Sequence, residues 1–413
     1  MIQIPEVLNP LLQELKNREI SPIFVGGFVR DSLLGIEVKD IDIELYNVES
    51  FDIMSKILEP FGKANLVGKS FGVLKLSYGG YEIDFSLPRI EKKISSGHKG
   101  FEVTLDSKLP FKEAAKRRDF TINAMGYDYT SQTLLDPYNG QIDLGAKKLH
   151  YVDATTFQED PLRVFRALQF CARFELTCKI ELIHLCKTIC ERGDLEELPK
   201  ERVFEEFSKL FLKANKPSIG IKLLYEFSMQ KYFPELINVD YQSLDEMSKY
   251  KTADSKQNTI LMLALLVFHF NSFEEVDSFL EKFVGEKQLK ESVLNLYMYR
   301  YSLQDLRQKQ FKNYDVLLLS TKTVIENLLL LNKARGYDFH EVYEVAKRFN
   351  VLTCKPKPLI QGRDLIELGF KPSNEFSKIL EIAFDAQLQE EFCNYKEAKM
   401  WLQSNIKTLL EQF

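Results

Sequence analysis

Phe24-Val25-Gly26-Gly27-Phe28-Val29-Arg30-Asp31-Ser32-Leu33-Leu34-Gly35, followed shortly by Asp40-Ile41-Asp42-Ile43-Glu44-Leu45-Tyr46, is the stretch on which the reading of this chain turns. Phe24-Val25 enters a glycine pair, a short helical pattern follows, and Gly35 is a suitable stop just past its end. Asp40 to Tyr46 alternates strictly, which predicts a strand with Ile41, Ile43 and Leu45 toward a core. Asp40 and Asp42 then share the other face, with Cα atoms about 6.5–7 Å apart. Two carboxylates so placed can share divalent ions of the kind used in in-line phosphoryl transfer, and magnesium prefers such hard oxygen ligands. Glycines let backbone approach phosphate, a helix N-terminus favours anions, and Arg30 offers a fork of donors. An isolated Asp-x-Asp is mostly an exposed strand face, and an isolated Gly-Gly mostly a turn. The two in tandem are far more specific.

Working outward, residues 73–78 and 81–86 alternate around Gly79-Gly80, the pattern of a hairpin with a two-residue turn. Asp84 lies in the second of these strands, on the same face as Glu82. It is a candidate third catalytic carboxylate, against the plainer reading of an exposed strand residue. Residues 1 to about 150 are therefore expected to be α/β. From Phe157 onward apolar residues recur at helical spacing, through Phe204, Phe207 and Leu210-Phe211, then Ile221–Leu224, Ile260–Phe270 and Val316–Leu331. Cys354-Lys355-Pro356-Lys357-Pro358 reads as a linker before a last helical piece.

A chain of 413 residues is long for one core, so two to four domains are expected. Its 45% hydrophobic and 28% charged residues are ordinary for a globular protein and exclude a disordered chain. The net charge of −5 does not exclude a nucleic-acid partner, but any basic surface must be concentrated locally. The six cysteines include no Cys-x-x-Cys pair; buried free thiols in a reducing compartment are favoured over a zinc site at Cys186 and Cys190. The longest apolar run, Ile260–Phe268, is too short to span a bilayer and predicts a core helix. Met1–Glu6 lacks the basic and apolar regions of a secretion signal. A cytoplasmic protein without a membrane partner is expected.

Later motifs extend the first one. Arg117-Arg118-Asp119-Phe120-Thr121-Ile122-Asn123-Ala124, Asp136-Pro137-Tyr138-Asn139-Gly140, Glu159-Asp160-Pro161-Leu162-Arg163-Val164-Phe165-Arg166 and Glu201-Arg202-Val203 with Glu205 follow in that order. With the first stretch they resemble motifs A to E of the class II tRNA nucleotidyltransferase and bacterial poly(A) polymerase superfamily, over roughly residues 20–210. Gly362-Arg363-Asp364-Leu365 and Leu368-Gly369 resemble its C-terminal segment. The resemblance implies an α+β fold, with a polymerase-β-like nucleotidyltransferase head (1–150), a helical neck that recognises the base (151–215), a helical body (216–350) and a helical tail that binds tRNA (351–413). The histidines show no HD dipeptide or HxxxH pair, so the metal phosphohydrolase domain that some relatives append is not expected.

Position by position, the resemblance implies that Asp40 and Asp42 bind Mg2+ and are catalytic, with Asp84 as the candidate third carboxylate. Nucleotide binding falls to Gly26, Gly27, Arg30, Arg118, Asp119, Asn123, Asp160, Arg163, Arg166 and Gln169. At Gln169 the superfamily often has Arg, which puts one phosphate contact in doubt. Locally, Asp160 before Pro161 reads as a helix N-cap with Pro at the first helical position. In the superfamily the residues matching Asp160 and Arg163 read the base. Cytosine and adenine both place an amino donor beside an acceptor nitrogen, which a carboxylate and an Arg complement; uracil and guanine present the reverse order. Arg163, Arg166 and Arg173 fall within a sector of about 80° on one helix and could form a phosphate-facing stripe. Arg89 to Lys93 and Ser95 to Gly100 resemble the flexible loop associated with the switch from C to A addition. The implied activity is addition of C, C and A to the acceptor end of tRNA from CTP and ATP. The alternatives are A-only or C-only addition, a poly(A) polymerase, or an RNA-binding pseudoenzyme. Oligomeric state is not legible in the sequence.

Overall fold

The computed structural model describes residues 2–67, 72–93, 101–372 and 374–410. The chain separates into two compact units, Met1–Pro234 and Glu235–Phe413.

In the first unit, α1 (Asn9–Asn17) buries Leu11, Leu12 and Leu15 on one face and leads into β1 (Ser21–Val25). Gly26 then takes a φ of +65°, a left-handed turn that a side chain would strain, and α2 (Gly27–Leu33) begins at once. β2 (Asp40–Tyr46) follows, then α3 (Phe51–Leu58), β3 (Asn65–Val67), β4 (Val73–Tyr78) and β5 (Tyr81–Ser86). Gly79 and Gly80 both have positive φ, as the expected two-residue hairpin turn requires. β6 (Arg89–Lys93) and β7 (Phe101–Leu105) pair as a separate antiparallel hairpin. After α4 (Phe111–Ala115), β8 (Gly126–Asp128) and β9 (Thr133–Leu135) complete a seven-stranded sheet of order β3-β4-β5-β2-β1-β8-β9.

The alternation along β2 resolves as expected. Ile41, Ile43 and Leu45 are buried beneath the sheet, and Asp40 and Asp42 stand on the opposite, exposed face. β2 runs antiparallel to β1 and parallel to β5, which sets Asp42 directly beside Asp84. Glu44 continues the acidic face but is buried.

The chain then passes through α5 (Gly140–Gly145), β10 (Lys148–Leu149) and α6 (Ala154–Glu159) to α7 (Leu162–Phe174). The helical region is interrupted by β11 (Thr177–Cys178), which pairs in parallel with β10, a two-residue ladder too short to show in the hydrophobic pattern. α8 (Ile180–Arg192), α9 (Lys200–Lys213) and α10 (Pro217–Glu226) follow. Regular helix in α7 starts at Leu162, one residue later than expected. The Asp160 carboxylate still accepts from Leu162 N–H at 3.3 Å, so the residue caps this end. Phe165, Phe207 and Phe233 meet in edge-on or tilted pairs and join α7 to α9.

The second unit is helical throughout its described residues. The helix Ser255–Leu266 is buried from Asn258 to Leu266, so the run Ile260–Phe268 forms a core helix as expected. Residues 349–361 contain no regular element, in line with the linker read there. Beyond them Ile360, Leu365, Ile379, Phe392 and Leu402 form a hydrophobic cluster of their own. Among the described residues no helix is long and apolar enough to cross a membrane. Cys171, Cys186 and Cys190 are buried free thiols, but Cys354 and Cys393 are exposed; both lie in stretches without regular structure.

Gly220 marks where α10 crosses α7: a Cβ there would lie 2.7 Å from the Leu168 carbonyl oxygen and collide with the Leu210 side chain. Gly220→Ala should therefore destabilise the first unit by about 1–3 kcal/mol despite its better helix propensity, measured by urea unfolding.

Candidate active site

The turn at Gly26 aims the start of α2 into a cleft of about 660 Å³ whose far wall is α7 and α9. At Gly26 an added Cβ would lie 2.9 Å from Arg118 Nη1, so a side chain there would displace that guanidinium. Arg30 is buried beneath the turn. Its Nε donates to Asp31 at 2.7 Å, its Nη1 donates to Asn123 Oδ1 at 2.5 Å, and its guanidinium lies 4.5 Å over the Phe174 ring. Asn123 Nδ2 donates onward to Asp119 Oδ1 at 2.9 Å, and Arg166 donates to Asp119 Oδ2 at 2.6–2.7 Å. Burial alone would raise the Asp119 carboxyl. Arg166, the Asn123 amide and Arg163 outweigh it and hold the group at about 2.

A second charged group lies beside Asp42. Glu44 is 1% exposed and accepts from Arg117 at 2.8 Å and from Arg118 at 2.9 Å. Against the cost of burial, Arg118 and Arg117 keep its carboxyl below the usual range. Asp42 shows the opposite balance. Enclosure by the cleft walls pushes its carboxyl up; Arg118 opposes this, and Asp84, Glu44 and Asp40 add to it. The Asp42 side chain nonetheless keeps an exposed edge.

Ten residues read as site residues line this one cleft: Gly26, Gly27, Arg30, Asp42, Arg118, Asp119, Asn123, Asp160, Arg163 and Arg166. Asp40 shares the Asp42 face but does not line the cleft. Asp84 borders a smaller cavity of about 180 Å³ on the other side of Asp42, and both of its oxygens are held by Lys75, at 2.8 and 3.0 Å. Gln169 corrects the expectation: it is 2% exposed and absent from the lining. On α7 it lies about 40° outside the sector of Arg163, Arg166 and Arg173, which turns it into the packing. Arg173 pairs with Asp31 at 3.3 Å. Ser95–Gly100, read as a flexible loop, lies outside the described residues.

The cleft also takes in Glu91, Glu206 and Lys209, which sequence reasoning passed over. Glu206 and Lys209 stand four and seven residues beyond Arg202, one face of a helix, which is the signal that could have found them. Glu44 could have been found from the alternation that placed Asp40 and Asp42.

The donor set fits a divalent cation. Asp40 and Asp42 offer hard oxygens on one exposed face, and the raised Asp42 carboxyl sits among like charges that a cation would offset. With Asp84 engaged by Lys75, two carboxylates remain, and no group of three metal-ligating side chains occurs among the described residues. Two carboxylates suit an ion that keeps part of its water shell.

Comparison with known proteins bears on this geometry. Residues 23–150 match the family model described as Poly A polymerase head domain, and residues 255–401 match tRNA nucleotidyltransferase domain 2. Residues 185–239 match a model described as "Probable RNA and SrmB- binding site of polymerase A". The first unit thus resembles a poly(A) polymerase head, and the second contains a match to a tRNA nucleotidyltransferase domain. Among relatives in sequence, the Multifunctional CCA protein of Neisseria meningitidis serogroup A is 33% identical over 239 residues, 58% of this chain and 55% of the relative. That of Pseudomonas fluorescens is 34% identical over 248 residues, 59% and 58% of the two chains. The chain thus spans about half the length of the relatives it matches in sequence. The Bacillus stearothermophilus CCA-adding enzyme in complex with CTP superposes with a TM-score of 0.77 at 20% identity, covering 99% of this chain and 100% of that one. The Thermotoga maritima CCA-adding enzyme complexed with tRNA gives 0.67 at 20% identity, over 98% and 97%. At such identities the likeness establishes the fold. A nucleotidyltransferase head of the kind matched by residues 23–150 implies a divalent metal ion, which the Asp40–Asp42 face is suited to hold.

Asp119 gives this site a pH signature. The folded state holds it at about 2 against an ordinary 3.8, so its contribution is complete above about pH 4 and is lost as pH falls toward 2. That shift corresponds to ~2 kcal/mol. Asp119→Asn should cost about this much at pH 7, and the gap to the parent protein should narrow below pH 4 in thermal melts.

Proposed function

We propose that this chain is a template-independent nucleotidyltransferase that adds C, C and A to the 3′ end of tRNA from CTP and ATP, releasing pyrophosphate. The observation that carries this reading is the convergence of the glycine turn, Asp42, the Arg118–Asp119 pair and the Asp160–Arg163 pair on one cleft. The RNA 3′-oxygen attacks the α-phosphorus in line, and pyrophosphate leaves on the opposite side. Gly27 and Arg118 cradle the triphosphate, while Arg30 underpins the turn through Asn123. Asp119 and Arg118 read the ribose 2′-hydroxyl, which can both donate and accept. Asp40 and Asp42 would hold Mg2+, which when bound lowers the pKa of the attacking hydroxyl and offsets charge on the leaving group.

Base choice rests with Asp160 and Arg163. Arg163 donates to the Thr156 carbonyl at 2.9 Å and the Arg117 carbonyl at 2.5 Å, which fixes the orientation of its guanidinium. A guanidinium has five N–H donors, so others remain for an acceptor ring nitrogen. The Asp160 carboxylate accepts from an exocyclic amine. A mismatched base leaves these groups unpaired at a cost of about 1–3 kcal/mol, so no template is required. The helical second unit would bind the tRNA by backbone and shape, as A-form helices demand. The enzyme would work in the cytoplasm.

The match to a poly(A) polymerase head supports a second reading, repeated A addition. A 3′-extension assay on a tRNA transcript lacking CCA separates the two. CTP alone should add two residues, and a third should appear only with CTP and ATP together. A long ladder with ATP alone would establish the second reading. Asp40→Ala with Asp42→Ala should abolish extension while RNA binding is kept, which would also exclude a pseudoenzyme. Arg163→Ala should lower kcat/KM for CTP and ATP by roughly 5–150-fold and narrow the preference over UTP and GTP.

A further inference from the structure

Glu44 is not part of the cleft lining, yet it touches two residues that are. It follows Asp40 and Asp42 on the same face of β2, and of the three only Glu44 is buried. A buried carboxylate is costly unless paired. Here it is paired twice, and through one oxygen: Oε1 accepts from Nη2 of both Arg117 and Arg118. Tyr46 donates its hydroxyl to the other oxygen at 3.3 Å. Nε of Arg117 and of Arg118 are buried without a hydrogen-bond partner, so Glu44 supplies the anchor that each guanidinium has on this side.

The geometry at Arg118 shows what this anchor does. One terminal nitrogen, Nη2, is tied down to Glu44. The other, Nη1, lies against the Gly26 turn, 2.9 Å from where a Cβ would be. Asp42 approaches the same turn: its Oδ2 lies 3.9 Å from that Cβ position, and both side chains line the cleft. Left to itself, a guanidinium so near Asp42 would turn to pair with it, covering the face that the cation needs. Glu44, two residues further along the same strand, competes for that guanidinium. Arg117 is held by Glu44 and lies 3.5 Å from Glu91, a second cleft residue.

We propose that Glu44 is a positioning residue of the nucleotide cleft: it holds Arg118 over the glycine turn, facing the triphosphate, and off Asp42. It does not touch the nucleotide and acts through Arg118. This rests on the nucleotidyltransferase reading above, and the test separates the two. CTP binding to the full chain is measured by calorimetry, and extension kinetics are measured on the tRNA transcript. Wild-type protein that binds no CTP would defeat the functional reading itself. Given wild-type binding, Glu44→Gln should weaken CTP affinity and raise KM on the order of tenfold, the loss expected for one charge-assisted hydrogen bond, with a smaller change in kcat. In an Arg118→Ala background the same Glu44→Gln change should cost less than about twofold more, because residues that act as one unit are not additive. Equal CTP affinity in Glu44→Gln, or equal cost in both backgrounds, would overturn the proposal. Arg118→Lys tests the same point with Glu44 left intact. A lysine keeps the charge but cannot hold Glu44 with one arm and face phosphate with another, so its CTP affinity should also fall roughly tenfold. Wild-type affinity in Arg118→Lys would overturn the proposal even if Glu44→Gln failed to fold.

Discussion

The cleft depends on a line of polar groups, all buried but the half-buried Arg166, running from Asp31 through Arg30, Asn123 and Asp119 to Arg166. Its members come from α2, from the loop before β8 and from α7, three segments far apart in sequence. Arg30 donates to both Asp31 and Asn123, Asn123 and Arg166 both donate to Asp119, and Arg173 on α7 donates back to Asp31. Removing one member leaves its neighbour's donor or acceptor unpaired, at about 1–3 kcal/mol where that neighbour is buried. The glycine turn, the loop after Arg118 and the Asp160–Arg163 end of α7 therefore keep a fixed relation. A nucleotide spanning triphosphate, ribose and base needs all three at set distances.

Much of this was legible because it follows from short periods. Alternation alone placed Asp40 and Asp42 outward and Ile41, Ile43 and Leu45 inward, and two glycines marked the β4–β5 turn. Spacing round a helix put Arg163 and Arg166 toward one cleft. What the sequence withheld are partners supplied by tertiary contact. Asp84 does stand beside Asp42, but Lys75 on β4 occupies its oxygens, a neighbour set by strand register. Gln169 was carried into the site by homology of position, and the packing of α7 turned it inward. Alternation places Glu44 on the face of Asp40 and Asp42 but does not show that it is buried. Only the arrival of Arg117 and Arg118 from some seventy residues away makes it a buried anion.

The second unit illustrates the reverse case. Its helices were readable from apolar spacing, and the wholly apolar run Ile260–Leu266 was rightly read as core. No residue there announces a chemistry; the RNA recognition proposed for it, by shape and backbone, needs no rare side chain at a set spacing. Fold was legible in that half and contacts were not.

The strand order carries a consequence for how the site comes into being on a growing chain. β1 is made before both of its sheet neighbours, β2 and β8, and β8 begins about a hundred residues after it. The cleft then waits further, for α7 and α9 to supply its far wall. Until those segments leave the ribosome, one edge of β1 has no native partner, and pairings so distant in sequence are slow to close. The acidic face of β2 is thus made early and stays without its arginines for much of synthesis. The cleft assembles late, once α9 has been made, by which time the sheet that bears it has already had to avoid pairing with anything else.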